Sequence, residues 1–216
     1  DDGGLLTAII PELAPLKTCA QNGYHQFDAF EHTLQAFGFL ETLLHVPEKQ
    51  VPAGHFLRHQ PPSIRRRPLL KYAALLHDIG KPGTRTVDEA GRAHFYNHEK
   101  ESADLAQGIH QRLRLSKRQQ SYADFIIRHH LKPLSLFTLF QKTRLSQKAV
   151  NRFFLKCGHL SGDLLTHAVA DAFGKGDPEN AAAFAAFADT LHKAYAGSFL
   201  PIKNLPQLLS GDDLIR

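Results

Sequence analysis

The chain has 216 residues, 26 of them Lys or Arg and 21 Asp or Glu, for a formal net charge of +5 and an isoelectric point near 9.3. A chain of this length suits one large domain or two small ones and buries roughly 70% of its unfolded surface, so it needs no covalent staples. Its 2 cysteines, Cys19 and Cys157, form no C-x-x-C pair, which argues against a disulfide framework or a cysteine-rich zinc site and favours a reducing, cytoplasmic setting.

No run of about 18 uncharged apolar residues occurs, and the opening Asp-Asp-Gly-Gly lacks the basic and apolar regions of a signal peptide, so neither a membrane partner nor secretion is expected. With 0 Met and none at its start, the chain is expected to be a piece of a longer protein. The basic excess favours anionic partners such as phosphates or RNA, with an ordinary soluble surface as the alternative. The 14 histidines exceed what packing or solubility asks for, and His serves both metals and proton transfer near neutral pH.

In chain order, apolar residues recur mostly at helical spacing, and the class reads as mainly α. A helix over about 28–45 carries the stripe Phe30, Leu34, Phe37, Leu40, Leu43 and Leu44. The Pro- and Gly-containing stretch 47–68, with Pro61-Pro62, reads as a long connection. Pro68 opens a buried helix through Leu69, Leu70, Ala73, Ala74, Leu75 and Leu76, which Gly80 and Pro82 are expected to end. Residues 84–96 have the β-formers and central turn residues of a short hairpin. Further helices are expected at about 97–113, 116–130, 146–156, 162–173 and 179–196. Two basic clusters, Arg65-Arg66-Arg67 and the set Arg112, Arg114, Lys117 and Arg118, read as solvated faces unless they lie beside a phosphate site.

The strongest local signal is His77-Asp78-Ile79-Gly80-Lys81. An imidazole, a carboxylate and an ammonium at the end of an apolar helix would be costly to bury unpaired, so partners are expected. A divalent cation is one partner; a His-Asp pair hydrogen-bonded for structure is the alternative. The pair is not isolated, however. Glu31-His32-Thr33, Asn97-His98-Glu99, Arg128-His129-His130 and Ala170-Asp171-Ala172 each offer a ligand-type residue on a different helix or helix end. His167, one turn before Asp171, is a candidate to hydrogen-bond that carboxylate or simply a structural residue. His25 and His94 stay open because each lies near a candidate ligand, whereas His45, His55, His59, His110, His159 and His192 have no ligand company.

This ordered set, His, His-Asp and Asp with Gly-Lys after the central pair, resembles the HD superfamily of metal-dependent phosphohydrolases from about Tyr24 to Lys175. The resemblance implies an HD-type helical domain over 1–175, with one hairpin and a C-terminal helical extension over 176–216. It implies His32, His77, Asp78 and Asp171 as ligands of one metal ion, with His98, His129 and His130 where two-metal members have additional ligands. Such a His and carboxylate set suits Mn, Ni, Co, Fe or Zn better than Mg. Asp78 is the candidate both to ligate and to orient or deprotonate a water. Lys81 is the candidate to face a phosphate oxygen, or else complements a helix C-terminus. Arg128, beside the two histidines, is a weaker phosphate candidate and reads more readily as a surface charge or ion pair.

A narrower resemblance, to the HD-containing region of bacterial tRNA nucleotidyltransferases and poly(A) polymerases, rests on three segments. They are Tyr24-His25-Gln26-Phe27-Asp28-Ala29-Phe30-Glu31-His32-Thr33-Leu34, Leu75-Leu76-His77-Asp78-Ile79-Gly80-Lys81-Pro82 and Gly91-Arg92-Ala93-His94-Phe95-Tyr96-Asn97-His98-Glu99. The closing 208–215 resembles the start of the segment that follows in such proteins. The nucleotide-binding and paired-carboxylate elements of their polymerase head do not occur, so nucleotide addition and nucleotide-cofactor binding are not assigned to these residues. The implied activity is hydrolysis of phosphomonoesters or phosphodiesters on a phosphorylated nucleotide or RNA end, including 2′,3′-cyclic phosphates. The alternative is a non-catalytic RNA-binding module that supports a separate head domain on tRNA. The oligomeric state is not legible.

Overall fold

The structure, a computed structural model, describes residues 4–21, 27–45 and 62–204. His25, His55, His59, most of the expected connection and the closing 208–215 lie outside the described residues. No helix among the described residues is long and apolar enough to cross a membrane. The class is mainly α with a single two-stranded hairpin among the described residues.

A short helix α1 (Leu5–Ile9) and a 3-10 stretch (Pro11–Thr18) lead in. Sequence patterning gave no element here because Pro11 and Pro15 interrupt it. The stretch is nevertheless built on its own period: Ile10, Leu13, Leu16 and Cys19 recur every third residue and are all buried, as a helix with three residues per turn requires. Helix α2 (Ala29–His45) follows, capped by Asp28, whose Oδ1 accepts from the Glu31 N–H at 2.7 Å.

Helix α3 (Arg67–Leu76) has Pro68 in its first turn. It stops at Leu76, earlier than expected: His77 to Gly80 form a turn, and Pro82 helps open a short helix α4 (Lys81–Thr84) rather than closing a long one. The hairpin stands where expected, with β1 (Arg85–Val87) antiparallel to β2 (Ala93–Phe95) and Thr86 opposite His94. Asp88 closes its turn by accepting from the Ala90 and Arg92 N–H groups.

Helices α5 (His98–Arg112) and α6 (Lys117–His129) match expectation closely, the second held by a capping box between Ser116 and Gln119. Helix α7 (Leu131–Gln141) was not legible beforehand. Its Pro133 lies in the first turn, where a missing N–H forfeits no helical hydrogen bond. Then come α8 (Gln147–Cys157), α9 (Ser161–Phe173) and α10 (Pro178–Ala194). The last runs on through a π turn (Tyr195–Phe199) into α11 (Leu200–Lys203).

Helix α9 is the axis of the molecule. Every residue from Ser161 to Ala172 is buried, and α2, α3, α6, α7, α8 and α10 all pack on it. Leu164 and Leu165 are fully enclosed, so truncating either to Ala should cost about 2–5 kcal/mol. Helix α3 packs against both α2 and α6. As a result α3, α6 and α9 bring their C-terminal ends together, which places His77, His130 and Asp171 at one end of the core.

Candidate metal centre

Six of the expected ligand-type side chains meet there, contributed by different elements. His32 lies in the first turn of α2, His77 and Asp78 in the turn after α3, and His98 opens α5; His130 follows α6, and Asp171 lies near the end of α9. All are buried, none more than 7% exposed.

The rings share one device. Nδ1 of His32, His77, His98 and His130 lies 3.1, 2.7, 2.8 and 2.7 Å from the carbonyl oxygens of Gly174, Ala74, Phe95 and Ile127. A carbonyl only accepts, so each Nδ1 carries the proton and donates. That fixes each ring's orientation and leaves Nε2 as the atom aimed inward, the arrangement by which a metal-binding imidazole is oriented.

Asp78 stands between two sets of these nitrogens. Its Oδ2 lies 3.2 Å from His77 Nε2 and 3.5 Å from His32 Nε2, while Oδ1 lies 3.2 Å from His98 Nε2 and 3.9 Å from His130 Nε2. Asp171 Oδ1 lies 2.9 Å from His32 Nε2 and 3.4 Å from His77 Nε2. Donor atoms of His32, His77 and Asp171, and of His77, Asp78 and His130, form two groups whose members all lie within 4.8 Å of one another. His77 Nε2 has no hydrogen bond of acceptable geometry despite full burial. Convergent imidazole nitrogens and carboxylate oxygens at such spacing fit a divalent transition ion.

The charge balance agrees with the geometry. Burial disfavours the His77 imidazolium, but Asp78 and Asp171 outweigh it and push the group up to about 10. Burial likewise opposes ionisation of Asp78 and Asp171, yet His77 and Lys81 hold the first well below the usual carboxylate range, and Lys175 with His32 and His77 holds the second there. For His130, burial and the neighbouring His77 and His98 act together and keep the ring neutral. The two carboxylates thus hold positive charge in the cluster while His130 keeps a lone pair available.

The cluster opens into a cleft of about 270 Å³ lined by Asp78, Lys81, His94, Tyr96, Asp171 and Lys175, among others. Lys81 is at the centre rather than at a helix C-terminus: its Nζ lies 2.7 Å from Asp78 Oδ2 and donates to Gln21. Lys175, which no sequence signal singled out, sits 3.1 Å from Asp171 Oδ2, one helical turn beyond it. Its spacing from Asp171 was the available clue. His94 stacks on Tyr96 with ring centroids 5.4 Å apart and lies 3.0 Å from Asp88 Oδ2.

Two glycines permit the assembly. A Cβ on Gly80 would lie 2.5 Å from Ser102 N and 2.6 Å from His98 O, so α5 can approach only a bare Cα. A Cβ on Gly174 would lie 2.8 Å from Ala36 N, where α2 meets the chain that carries the carbonyl partner of His32.

The structure does not bring His129 to the cluster. About 100° separates successive helix positions, and with His130 turned inward the His129 ring packs edge-on against Phe125. His167 packs against His77 with centroids 5.1 Å apart, and its Nδ1 has no hydrogen-bond partner among the described residues. Burial, with His77 adding to it, lowers its pKa to about 3. Arg128 pairs with Asp104 and Asp124 as expected. His45, His110, His159 and His192 are not in the cluster.

Comparison with known proteins places the chain in a known family. A family profile described as HD domain matches residues 29–193. The CC-adding tRNA nucleotidyltransferase of Thermus thermophilus is 34% identical over 169 residues, covering 78% of this chain and 32% of that protein. The A-adding tRNA nucleotidyltransferase of Deinococcus radiodurans is 30% identical over 173 residues, again 78% and 32%. A bifunctional uridylyltransferase/uridylyl-removing enzyme of Ruegeria pomeroyi is 31% identical over 172 residues, 76% of this chain and 16% of that protein. The chain spans about one third of the length of the first two relatives.

Proposed function

The chain belongs to the HD domain family, and from that premise we propose that it is a metal-dependent phosphohydrolase acting on phosphoesters of nucleotides or of RNA ends. The observation that carries the reading is the set of Nδ1-anchored rings and two carboxylates converging beneath a cleft that also holds two lysines. His32, His77, Asp78 and Asp171 would hold one divalent ion, and His98 and His130, facing the other oxygen of Asp78, would hold a second; His129 has no part in either set. Such an ion supplies a Lewis acid for a phosphoryl oxygen and lowers the pKa of a water.

The remaining work falls to side chains. Asp78, kept ionised by His77 and Lys81, orients the attacking water and accepts its proton. Lys81 and Lys175 flank the same cleft, where their ammonium groups offset charge that grows on the phosphoryl oxygens in the transition state. Both stay placed because each is tied to an aspartate of the centre. The enclosing burial strengthens these interactions by excluding water.

The names of the relatives, which add nucleotides to tRNA or remove uridylyl groups, support a nucleotidyl phosphoester as the substrate. Nucleotide addition is not part of this reading. The test is turnover by the purified chain loaded with Mn, Ni or Co on a panel of nucleoside monophosphates, dinucleotides and 2′,3′-cyclic phosphates. Hydrolysis lost in His77→Ala and Asp78→Ala is the expected result. Tight metal binding without turnover of any of them would overturn it in favour of a non-catalytic module that supports RNA.

A further inference from the structure

The helices that bring their C-terminal ends to the metal centre carry their N-terminal ends to a second cavity. It measures about 570 Å³, and its wall includes Arg65 and Arg66 before and at the cap of α3, Ser116 and Arg118 at the start of α6, and His159 and Leu160 at the start of α9. That volume lies within the range of roughly 300–1,000 Å³ typical of small-molecule sites. Helix α6 has 13 residues, so the cavity lies about 20 Å from the metal centre along its axis.

The lining has two chemistries. Leu69, Phe125, Leu160 and the buried ring of Tyr122 give an apolar floor, while Arg65, Arg66 and Arg118 with serine hydroxyls give a basic, hydrogen-bonding rim. Arg66 has a fixed posture: its Nε lies 2.7 Å from Asp163 Oδ2, and the Tyr122 hydroxyl donates to the same oxygen at 2.7 Å. That contact also offsets the buried carboxylate. Arg65 and Arg118 are exposed and make no ion pair among the described residues. Arg65 and Arg66 of one basic cluster and Arg118 of the other, which read as solvated faces in the sequence, therefore converge on one concavity with an apolar base, which a solvated face does not need. The positive ends of three helix dipoles add to the same potential.

We propose that this cavity is a second, non-catalytic binding site for a phosphorylated nucleotide unit, free or within an RNA strand, with phosphate on Arg65 and Arg118 and the base against Phe125 and Leu69. The site does not depend on the hydrolytic reading of the metal centre, and its test needs no turnover.

The chain labelled with nitrogen-15 is titrated, in the absence of divalent ions, with adenosine 5′-monophosphate, with a ten-nucleotide oligoadenylate and with ribose 5-phosphate. Backbone signals of residues 116–119 are expected to move with the first two ligands. The Arg65→Glu/Arg118→Glu variant should bind at least tenfold more weakly with its melting midpoint retained. A charge-matched control, Lys142→Glu/Lys148→Glu, should bind as the unmodified protein does. Oligoadenylate bound at least tenfold more tightly than the mononucleotide, with a steep salt dependence, identifies a strand as the ligand; equal affinities identify a free nucleotide. Shifts confined to residues 94–98, equal weakening in the control, or ribose 5-phosphate binding as well as the nucleotide would each overturn the proposal.

Discussion

His98 and His130 face each other nitrogen to nitrogen, Nε2 to Nε2 at 3.2 Å, with each ring's other nitrogen already donating to a backbone carbonyl. His130 is held neutral by burial, so its Nε2 presents a lone pair toward its neighbour. A cation shared with Asp78 would engage that lone pair. Added Mn or Ni at a hundredfold excess over its dissociation constant is expected to stabilise the fold by about 2.7 kcal/mol, a rise of roughly 5–10 °C in the melting midpoint for a chain of this size. In His130→Ala the rise should shrink. Melting curves identical with metal and with chelator would rule the centre out as a metal site.

Gly80 forms the seam between the turn after α3 and the start of α5. Its N–H donates to Ser102 Oγ at 2.9 Å, and the closest clashes of an added Cβ are with backbone atoms of His98 and Ser102. Backbone cannot swing aside as a flexible side chain can, so Gly80→Ala should push α5 outward. A loss of about 1–3 kcal/mol is expected, together with weaker metal binding because His98 moves with the helix. Denaturant unfolding and metal calorimetry on the same variant check the two effects.

Lys175→Met keeps the stem of the side chain and removes the charge beside Asp171. If the ammonium serves the phosphate as well as the carboxylate, kcat/KM on a phosphoester should fall by about tenfold to a hundredfold, with the metal still bound. Activity within twofold of the unmodified chain would confine Lys175 to balancing Asp171.

Glu12 and Arg112 tie the 3-10 stretch to the end of α5 through two contacts of 2.8 Å. The hydrogen bond from Arg112 holds the Glu12 carboxyl below its ordinary value of 4.5. A carboxyl depressed by folding contributes stability above its unfolded pKa and loses it as pH falls through the folded one. The pair is exposed to solvent, so its contribution is small. The stability difference between the unmodified chain and Glu12→Gln should be constant from pH 7 to about 4.5 and vanish on further acidification. High salt should shrink it at neutral pH.

Most of the architecture was legible in local pattern. The stripe on α2, the apolar run of α3, the Asp-Glu-Ala-Gly turn and the Ser-led starts of α6 and α8 all announce themselves, because periodicity and capping are properties of neighbours in sequence. The elements not legible in the sequence are those whose signal is contradicted locally. Pro11 and Pro15 hid a 3-10 period, and Pro133 hid a helix that tolerates it in the first turn. Gly80 carries a helix-breaking propensity, but α3 already ends at Leu76, and the bare Cα of Gly80 serves the approach of α5.

The residue types and order around His77 and Asp78 were enough to name His32, Asp171, His98 and His130 as candidates, and the family profile extends over that same region. The sequence by itself determined which chemistry was available, since only imidazoles, carboxylates and lysines at those positions supply it. Tertiary packing decided which of two adjacent histidines faces inward: His130 caps α6 toward Asp78, while His129, a third of a turn away, lies against Phe125. It also decided that Arg65, Arg66 and Arg118, far apart in the chain, share one cavity. Both outcomes depend on how α3, α6 and α9 lie beside one another, a relation set by burial across the whole core rather than by any local run of residues.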